Sequence, residues 1–395
     1  MLNSTKSASR PLDGIKILEL ARVLAGPWCG QLLSDLGADV IKIERPGAGD
    51  DTRSWGPPFV TAPSGSHFDA SYFHACNRGK RSIAVDLAKP DGQARVRALA
   101  AEADVVIENY KVGGLARYGL DYPSLKAVNE GLIYCSITGF GQSGPYAQRP
   151  GYDFVIQAMG GLMSITGEIG RPPQKAGISV ADIFTGLYSA VAILAALEQR
   201  HRTGKGAHID MALLDTQVAV LGNQALNWMT SGVVPSQMGN GHFNLVPYQS
   251  FPTREGELVI AVGNDRQYAS LCETLGVAVR PEHATNALRV ADREGLIAWL
   301  SGLTRSWDAQ ALADRLEAVG VPAGPINRID QVFDDPQVRA RGMQIVARGD
   351  KADIPGVASP IVIDGQRMVK AVASPRLGQH NALWDDIAYG AAWPD

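Results

Sequence analysis

Apolar residues in the first half of the chain recur in short unbroken runs separated by segments of helical spacing. Gly14-Ile15-Lys16-Ile17-Leu18-Glu19-Leu20 reads as a buried strand, Ala25 to Leu36 as a helix stopped by Gly37, and Ala38-Asp39-Val40-Ile41-Lys42-Ile43-Glu44 as a second strand. Strand, helix and strand in that order make a βαβ unit, which implies a parallel sheet. The pattern repeats: a strand at Ser82-Ile83-Ala84-Val85, a helix from Pro90 to Glu102, and a strand at Asp104-Val105-Val106-Ile107-Glu108. A helix from Tyr122 to Asn129 and the strand Leu132-Ile133-Tyr134-Cys135-Ser136-Ile137 follow. Such alternation predicts an α/β fold with a doubly wound parallel sheet.

Further along, Asp153 to Met159 opens a helix, and Ile183 to Arg200 is a long one, apolar on nearly every face and so expected to be buried on all sides. Ala212 to Gly232 reads as one further helix. After about residue 245 the pattern changes. Tyr248 to Thr253 and Leu258 to Val262, joined by Arg254-Glu255-Gly256-Glu257, predict a hairpin. Helices follow at Asp265–Leu275, Arg293–Leu303 and Asp308–Val319. The expected organisation is a large α/β domain over residues 11–205, a linker helix region over 206–245, and a smaller α+β domain over 246–330. A segment over 331–395 returns to the large domain.

Composition changes this picture in one respect. Of 395 residues, 45% are hydrophobic and only 19% charged, against about 25% charged in an average soluble domain. The shortage of polar surface predicts a large buried interface between subunits. A net charge of −3 and a pI near 6.2 argue against nucleic acid or an anionic membrane as a partner, so an anionic ligand must be met by local basic groups. Cys29, Cys76, Cys135 and Cys272 lie far apart with no CxxC pair, and no His is spaced as a zinc ligand, so no metal site is expected. Met1 to Arg10 is polar and shows no secretory pattern, and no run approaches the ~18 apolar residues of a membrane span. A soluble cytoplasmic protein is the expectation.

Candidate chemistry gathers at strand ends. The first βα turn, Ala21-Arg22-Val23-Leu24-Ala25-Gly26-Pro27, lacks the GxGxxG of dinucleotide folds but offers the N–H groups of a helix N-terminus to an anion. Arg45 ends the second strand and Asn109-Tyr110-Lys111 the fourth, at the edge where open α/β sheets bind ligands. Arg45, Lys111 and Arg117 can neutralise phosphates, and Tyr110 offers a stacking face. Asn77-Arg78-Gly79-Lys80-Arg81 is a basic turn, solvated by default or else a phosphate contact. Gly204-Lys205-Gly206 has neither the spacing nor the preceding strand of a phosphate loop. Asp153 and Asp182 each stand where a helix begins and read first as N-caps. A helix N-terminus favours an ionised carboxylate, and one held away from water can act as a nucleophile. No GxSxG elbow or Ser-His-Asp pattern is present.

Taken together, several of these segments resemble the class III CoA-transferase family of CaiB/BaiF type. They include Leu12-Asp13-Gly14-Ile15-Lys16-Ile17-Leu18-Glu19-Leu20, Gly37-Ala38-Asp39-Val40-Ile41-Lys42-Ile43-Glu44-Arg45-Pro46-Gly47, Asn77-Arg78-Gly79-Lys80-Arg81-Ser82-Ile83, Ser136-Ile137-Thr138-Gly139-Phe140-Gly141 and Asp182-Ile183-Phe184-Thr185-Gly186. The resemblance runs in order from about residue 11 to Leu377-Gly378-Gln379-His380. It implies Asp182 as the nucleophile, passing through a mixed anhydride and an aspartyl-CoA thioester. It implies CoA contacts at Val23, Leu24, Ala25, Arg45, Asn109, Tyr110 and Arg117, with Tyr152 beside them. It also implies a ring-like subunit in an interlocked homodimer, acyl-CoA and carboxylate substrates, and no tightly bound cofactor.

Racemases that share this fold place a histidine just before the aspartate at Asp153; here that residue is Tyr152, whose phenol is a poor proton shuttle at neutral pH. Formyl-CoA:oxalate transferases carry a run of glycines that Asn240 to Phe251 lacks. Arg45 to Phe59 and Val246-Pro247-Tyr248-Gln249 look most like succinyl-CoA-dependent enzymes acting on dicarboxylates such as glutarate. A non-catalytic acyl-CoA-binding protein is the reading from another class.

Overall fold

The computed structural model describes residues 10–62, 65, 67–383 and 393–394; apart from Arg10, the N-terminal stretch read above lies outside them. The chain forms two compact units. The first comprises residues 1–162, 176–226 and 336–395, and the second residues 163–175 and 227–335.

In the large unit, β1 (Lys16–Leu20), β2 (Asp39–Glu44), β3 (Arg81–Ala84), β4 (Val105–Glu108), β5 (Ile133–Thr138) and β6 (Ala207–Ala212) form one sheet in the order β3-β2-β1-β4-β5-β6. Every neighbouring pair in it is parallel. The helices of this unit are α1 (Ala25–Asp35), α2 (Pro90–Glu102), α3 (Tyr122–Lys126), α4 (Asp153–Met159), α5 (Val180–Thr203), α6 (Leu213–Ala219) and α7 (Asn223–Ser231), the last extending into the second unit. Side chains alternate across the pleat. Ile17, Val40, Val105 and Cys135 join one core with Cys29 and Leu33 of α1 and Ile193 and Leu197 of α5. Leu18, Ile41, Val106 and Tyr134 join the other with Val96 and Leu99 of α2 and Leu125 of α3. With helices over both faces the sheet is doubly wound, and its strand order reverses between β1 and β4.

Two expectations are corrected here. Residues 206–245 are not a linker: Ala207–Ala212 is the sixth strand, and the large unit continues to residue 226. The strand alternates, His208 and Asp210 outward and Ile209 and Met211 toward the core, instead of showing the unbroken apolar run of its neighbours. The single helix expected from Ala212 to Gly232 is two helices, α6 and α7, parted near Gly222, whose φ of 54° no helix allows.

The long helix α5 differs in a second way from its expectation. Ala181, Thr185, Ser189 and Ile193 are buried, but Leu187, Tyr188 and Val191 on other faces are exposed. It is long and apolar enough to cross a membrane by length and composition, yet its buried face packs into the sheet core. Its closest approach is to α1, where a Cβ on Gly186 would lie 2.6 Å from the Ala25 carbonyl oxygen.

The basic turn before β3 is neither solvated nor free for phosphate. Arg78 is buried against Asp35, Lys80 is buried against Glu19 at 2.8 Å, and Arg81 pairs with Asp39. The C-terminal segment lies on the same region: Gly79 donates to Val372 O and Lys370 to Asp35, and His380 donates to Ser82 O.

The second unit has the antiparallel sheet β9-β8-β7, from β7 (Tyr248–Thr253), β8 (Gly256–Ala261) and β9 (Ala323–Pro325). Helices α8 (Asp265–Thr274), α9 (Arg293–Thr304) and α10 (Ala309–Ala318) supply Tyr268, Leu296 and Leu312 to its core. Asn264 and Asp308 cap α8 and α10 by accepting from Gln267 N and Ala311 N.

Because α5 rests on backbone at Gly186, a valine there forces the two helices apart. Gly186→Val should lose roughly 1–3 kcal/mol of stability and lower turnover, since Asp182 stands four residues before Gly186 on the same helix; denaturant melts and steady-state rates measure both.

Candidate active site

A cavity of about 660 Å³ opens in the large unit, at the carboxyl edge of the sheet beside the β1/β4 reversal, where open α/β sheets bind ligands. Its walls come from three strand ends: Arg22, Val23, Leu24 and Ala25 after β1, Asn109 to Gly114 after β4, and Ile137, Thr138 and Gly139 at and after β5. Arg117, Arg149, Tyr152 and Asp182 complete the lining that carries chemistry. Gly139 crosses Gly151 so closely that a Cβ on it would lie 2.6 Å from the Gly151 Cα. That crossing brings Tyr152, the exposed N-cap of α4, to the wall made by Thr138.

The first βα turn is the strained part of the wall. Val23 has φ 72°, a left-handed conformation that a β-branched residue rarely adopts. Its N–H donates to both carboxylate oxygens of Asp50 at 3.2 Å. Arg22 is clamped from the other side: its N–H donates to Asn109 Oδ1 at 3.0 Å, and Asn109 Nδ2 donates to its carbonyl at 2.7 Å. Asn109 therefore lines the cavity but commits both ends of its amide to tying the β1 and β4 loops together.

Asp182 is the third residue of α5, and Ser179, not Asp182, is the N-cap. Asp153 likewise does not cap its own helix. Its Oδ1 accepts from Ala181 N at 2.9 Å and Asp182 N at 3.3 Å, and its Oδ2 accepts from Gln157 Nε2 at 2.6 Å. Asp153 takes the donors at the start of α5, leaving the half-buried Asp182 carboxylate without them. Burial, and then the charge of Asp153, push the Asp182 pKa up to about 7. Tyr72, absent from the sequence reading, shares a hydrogen bond with Ser179 close to this carboxylate.

The cavity gathers Val23, Leu24, Ala25, Asn109, Tyr110, Arg117, Tyr152 and Asp182 of the expected residues. Arg45 is not among its described lining residues. It is exposed at the end of β2, one strand removed from the β1/β4 crevice. Arg22 and Arg149 are additions. Arg22 lay in view inside the quoted first turn; Arg149 belongs to a loop with no motif to mark it. Arg22, Lys111, Arg117 and Arg149 give one cavity four cations facing one carboxylate, which suits a polyanionic ligand. Among the described residues no group of three or more His, Cys, Asp or Glu side chains is placed to hold a metal ion.

A doubly wound parallel sheet, a cationic crevice at its reversal and a half-buried carboxylate in the crevice suit an enzyme that binds a nucleotide-like ligand. Comparison with known proteins is specific. The family model described as CoA-transferase family III matches residues 12–381. The succinate–glutarate CoA-transferase of Agrobacterium fabrum is 54% identical over 376 residues, covering 94% of each chain. The human succinyl-CoA:glutarate CoA-transferase is 43% identical over 399 residues, covering 96% of this chain and 88% of that one. The crystal structure of a CAIB/BAIF family protein from Brucella suis aligns with TM-score 0.85 at 54% identity, covering 96% of this chain and 100% of that one. The chain belongs to CoA-transferase family III and is a class III CoA-transferase.

The raised pKa of Asp182 has a signed consequence. The fold favours the neutral acid, so this contribution to stability is complete below the ordinary carboxylate pKa of about 4 and is lost as pH rises through about 7. Asp182→Asn should therefore gain in melting temperature over wild type between pH 5 and pH 8, and the difference should level off above that. A difference that stays flat with pH would show that Asp182 titrates as a solvated carboxylate.

Proposed function

We propose that the chain moves CoA from succinyl-CoA to a dicarboxylate, with glutarate the acceptor, and that Asp182 is the nucleophile. The observation that carries this reading is the Asp182 carboxylate, stripped of donors, facing a cationic cavity large enough for part of a CoA thioester. The names of the relatives supply the donor and acceptor.

An Asp182 oxygen attacks the thioester carbonyl carbon, the C–S bond breaks, and CoA leaves as thiolate. Asp182 is then joined to succinate as a mixed anhydride. The thiolate attacks the Asp182 carbonyl carbon, succinate leaves as carboxylate, and an aspartyl-CoA thioester remains. Glutarate attacks that carbonyl and expels the thiolate, which next attacks the glutaryl carbonyl and restores the Asp182 carboxylate. Each step exchanges one acyl oxygen or sulfur for another without net proton transfer, so one hard exchange becomes several easier ones. A carboxylate with pKa near 7 is more basic than a solvated one and half ionised at neutral pH, which suits the first attack.

Val23, Leu24, Ala25, Tyr110 and Tyr152 flank the CoA path, Asn109 braces it, and Arg117 meets its phosphates. The working form is a homodimer in the cytoplasm, with ring-like interlocked subunits. Its support is the apolar surface of the large unit, where Phe154, Met159, Leu187, Tyr188 and Val191 of the packed helices α4 and α5 are exposed.

Incubation with succinyl-CoA and a panel of carboxylates, read by mass of the CoA products, should give glutaryl-CoA. Hydroxylamine should trap Asp182 as the hydroxamate when acceptor is withheld. Solvent deuterium entering the α-carbon of a 2-methylacyl-CoA, with no acyl exchange and no trapped aspartate, overturns the reading. Asp182→Ala should lower kcat by roughly 10⁴-fold or more with the dimer retained. Arg117→Ala should raise KM for succinyl-CoA about 10- to 100-fold with kcat nearly unchanged, as loss of a charged hydrogen bond made equally in ground and transition states requires.

A further inference from the structure

The large unit holds a second pocket of about 200 Å³, where residues 348–379 close over Asp69 and His74. It shares no lining residue with the cavity that contains Asp182. Its wall carries a polar atom with no protein partner. Ser374 is only 8% exposed, and its buried hydroxyl meets no donor or acceptor. Both ring nitrogens of His74 are buried and meet no side chain, the Asp69 backbone being the group that bonds the ring. Burial, with the charge of Arg53, holds the His74 pKa down to about 4 against the hydrogen bond with the Asp69 backbone, so the ring is neutral.

The charges around this neutral wall are mostly positive. Arg348, Lys351 and Arg376 line it against Asp69 and Asp350. Arg53 already counters Asp69 from behind. Arg376 holds Asp350 at 2.7 Å and Arg348 pairs with Asp353, but all four of these side chains are solvent-exposed. Ion pairs of that kind are weak and rearrange readily around a ligand. Lys351 is exposed and has no salt bridge within the described residues.

We propose that this pocket is a second binding site, for a small multivalent oxyanion of phosphate type, whose oxygens accept from the Ser374 hydroxyl while Lys351, Arg348 and Arg376 meet its charge. A water molecule satisfies a lone hydroxyl, but three cations lining the same pocket as a buried unpartnered hydroxyl match an anion better.

Inorganic phosphate is the probe. It is titrated calorimetrically into the full-length enzyme saturated with CoA, so that the cationic substrate cavity is filled, at constant ionic strength against a chloride control. One saturable site per chain is expected, weakened roughly tenfold in both Ser374→Ala and Lys351→Ala, with phosphate-free kcat unchanged in both. Lys351 is on the surface, so its variant keeps the test decisive if Ser374→Ala misfolds. No saturable heat in the wild type, or the same affinity in wild type and the Lys351 variant, overturns the proposal.

Discussion

Lys42 sits in the interior of the large unit with its ammonium 3.0 Å from Glu19 and 3.0 Å from Asp50, and it donates to the Ala21 carbonyl at 2.6 Å. Burial opposes its charge, but Asp50, Glu19 and Glu44 together raise its pKa above the ordinary lysine value. Lys80 shares Glu19 from the other side and donates to Pro27 O and Asn77 Oδ1. Buried ion pairs are costly to desolvate and are weak evidence for stability by themselves. What this one does is geometric. It fixes Asp50, and Asp50 receives the N–H of Val23 and so holds the first βα turn in a conformation that valine would otherwise leave. The cavity wall, the start of α1 and its seat against α5 all follow from that turn.

At the other side of the cavity the governing fact is competition between two carboxylates for one helix N-terminus. The free N–H groups and dipole of a helix start stabilise a negative charge. Asp153 reaches across from α4 and takes the Ala181 and Asp182 amides. Asp182, though on the helix itself, is left with burial and a like charge, and these outweigh the dipole. A helix start thus raises a carboxylate's basicity here because another acid has already used its donors. Helix position alone predicts the opposite direction.

That competition marks the boundary of what the sequence made legible. The βαβ alternation, the parallel sheet and the loops after β1 and β4 could be read because strand and helix periods are local. Asp182 could be singled out as a nucleophile only through family resemblance, since Asp before a helix reads as a cap. Asp153 was assigned to the wrong helix because its partners lie 28 and 29 residues away. The basic turn at Asn77 to Arg81 looked solvated because Asp35, Asp39 and Glu19, its counter-charges, come from α1, β2 and β1. Arg45 could not be told from the other strand-end residues because every strand end seems equivalent along the chain, whereas the described cavity lining takes the ends of β1, β4 and β5 and not that of β2. The missed elements share one cause: each depends on which segments the sheet brings side by side.

The same sheet leaves one carboxylate, Asp182, among the described lining residues of the cavity. A reaction that exchanges acyl groups among carboxylate, thiolate and carboxylate needs no acid or base at the reacting atoms. It needs water kept away from an anhydride and a thioester, because hydrolysis would discard the group being carried. The lining around Asp182 fits that demand: Val23, Leu24, Ala25, Ile137 and Leu213 are apolar, and the cations stand on the loops at residues 22, 111, 117 and 149. Tyr152, exposed as it is in the single chain, occupies the position where a proton-shuttling fold would need an imidazole. With a phenol there and Asp182 the one carboxylate among the described lining residues, the arrangement favours making and breaking acyl bonds over moving an α-proton.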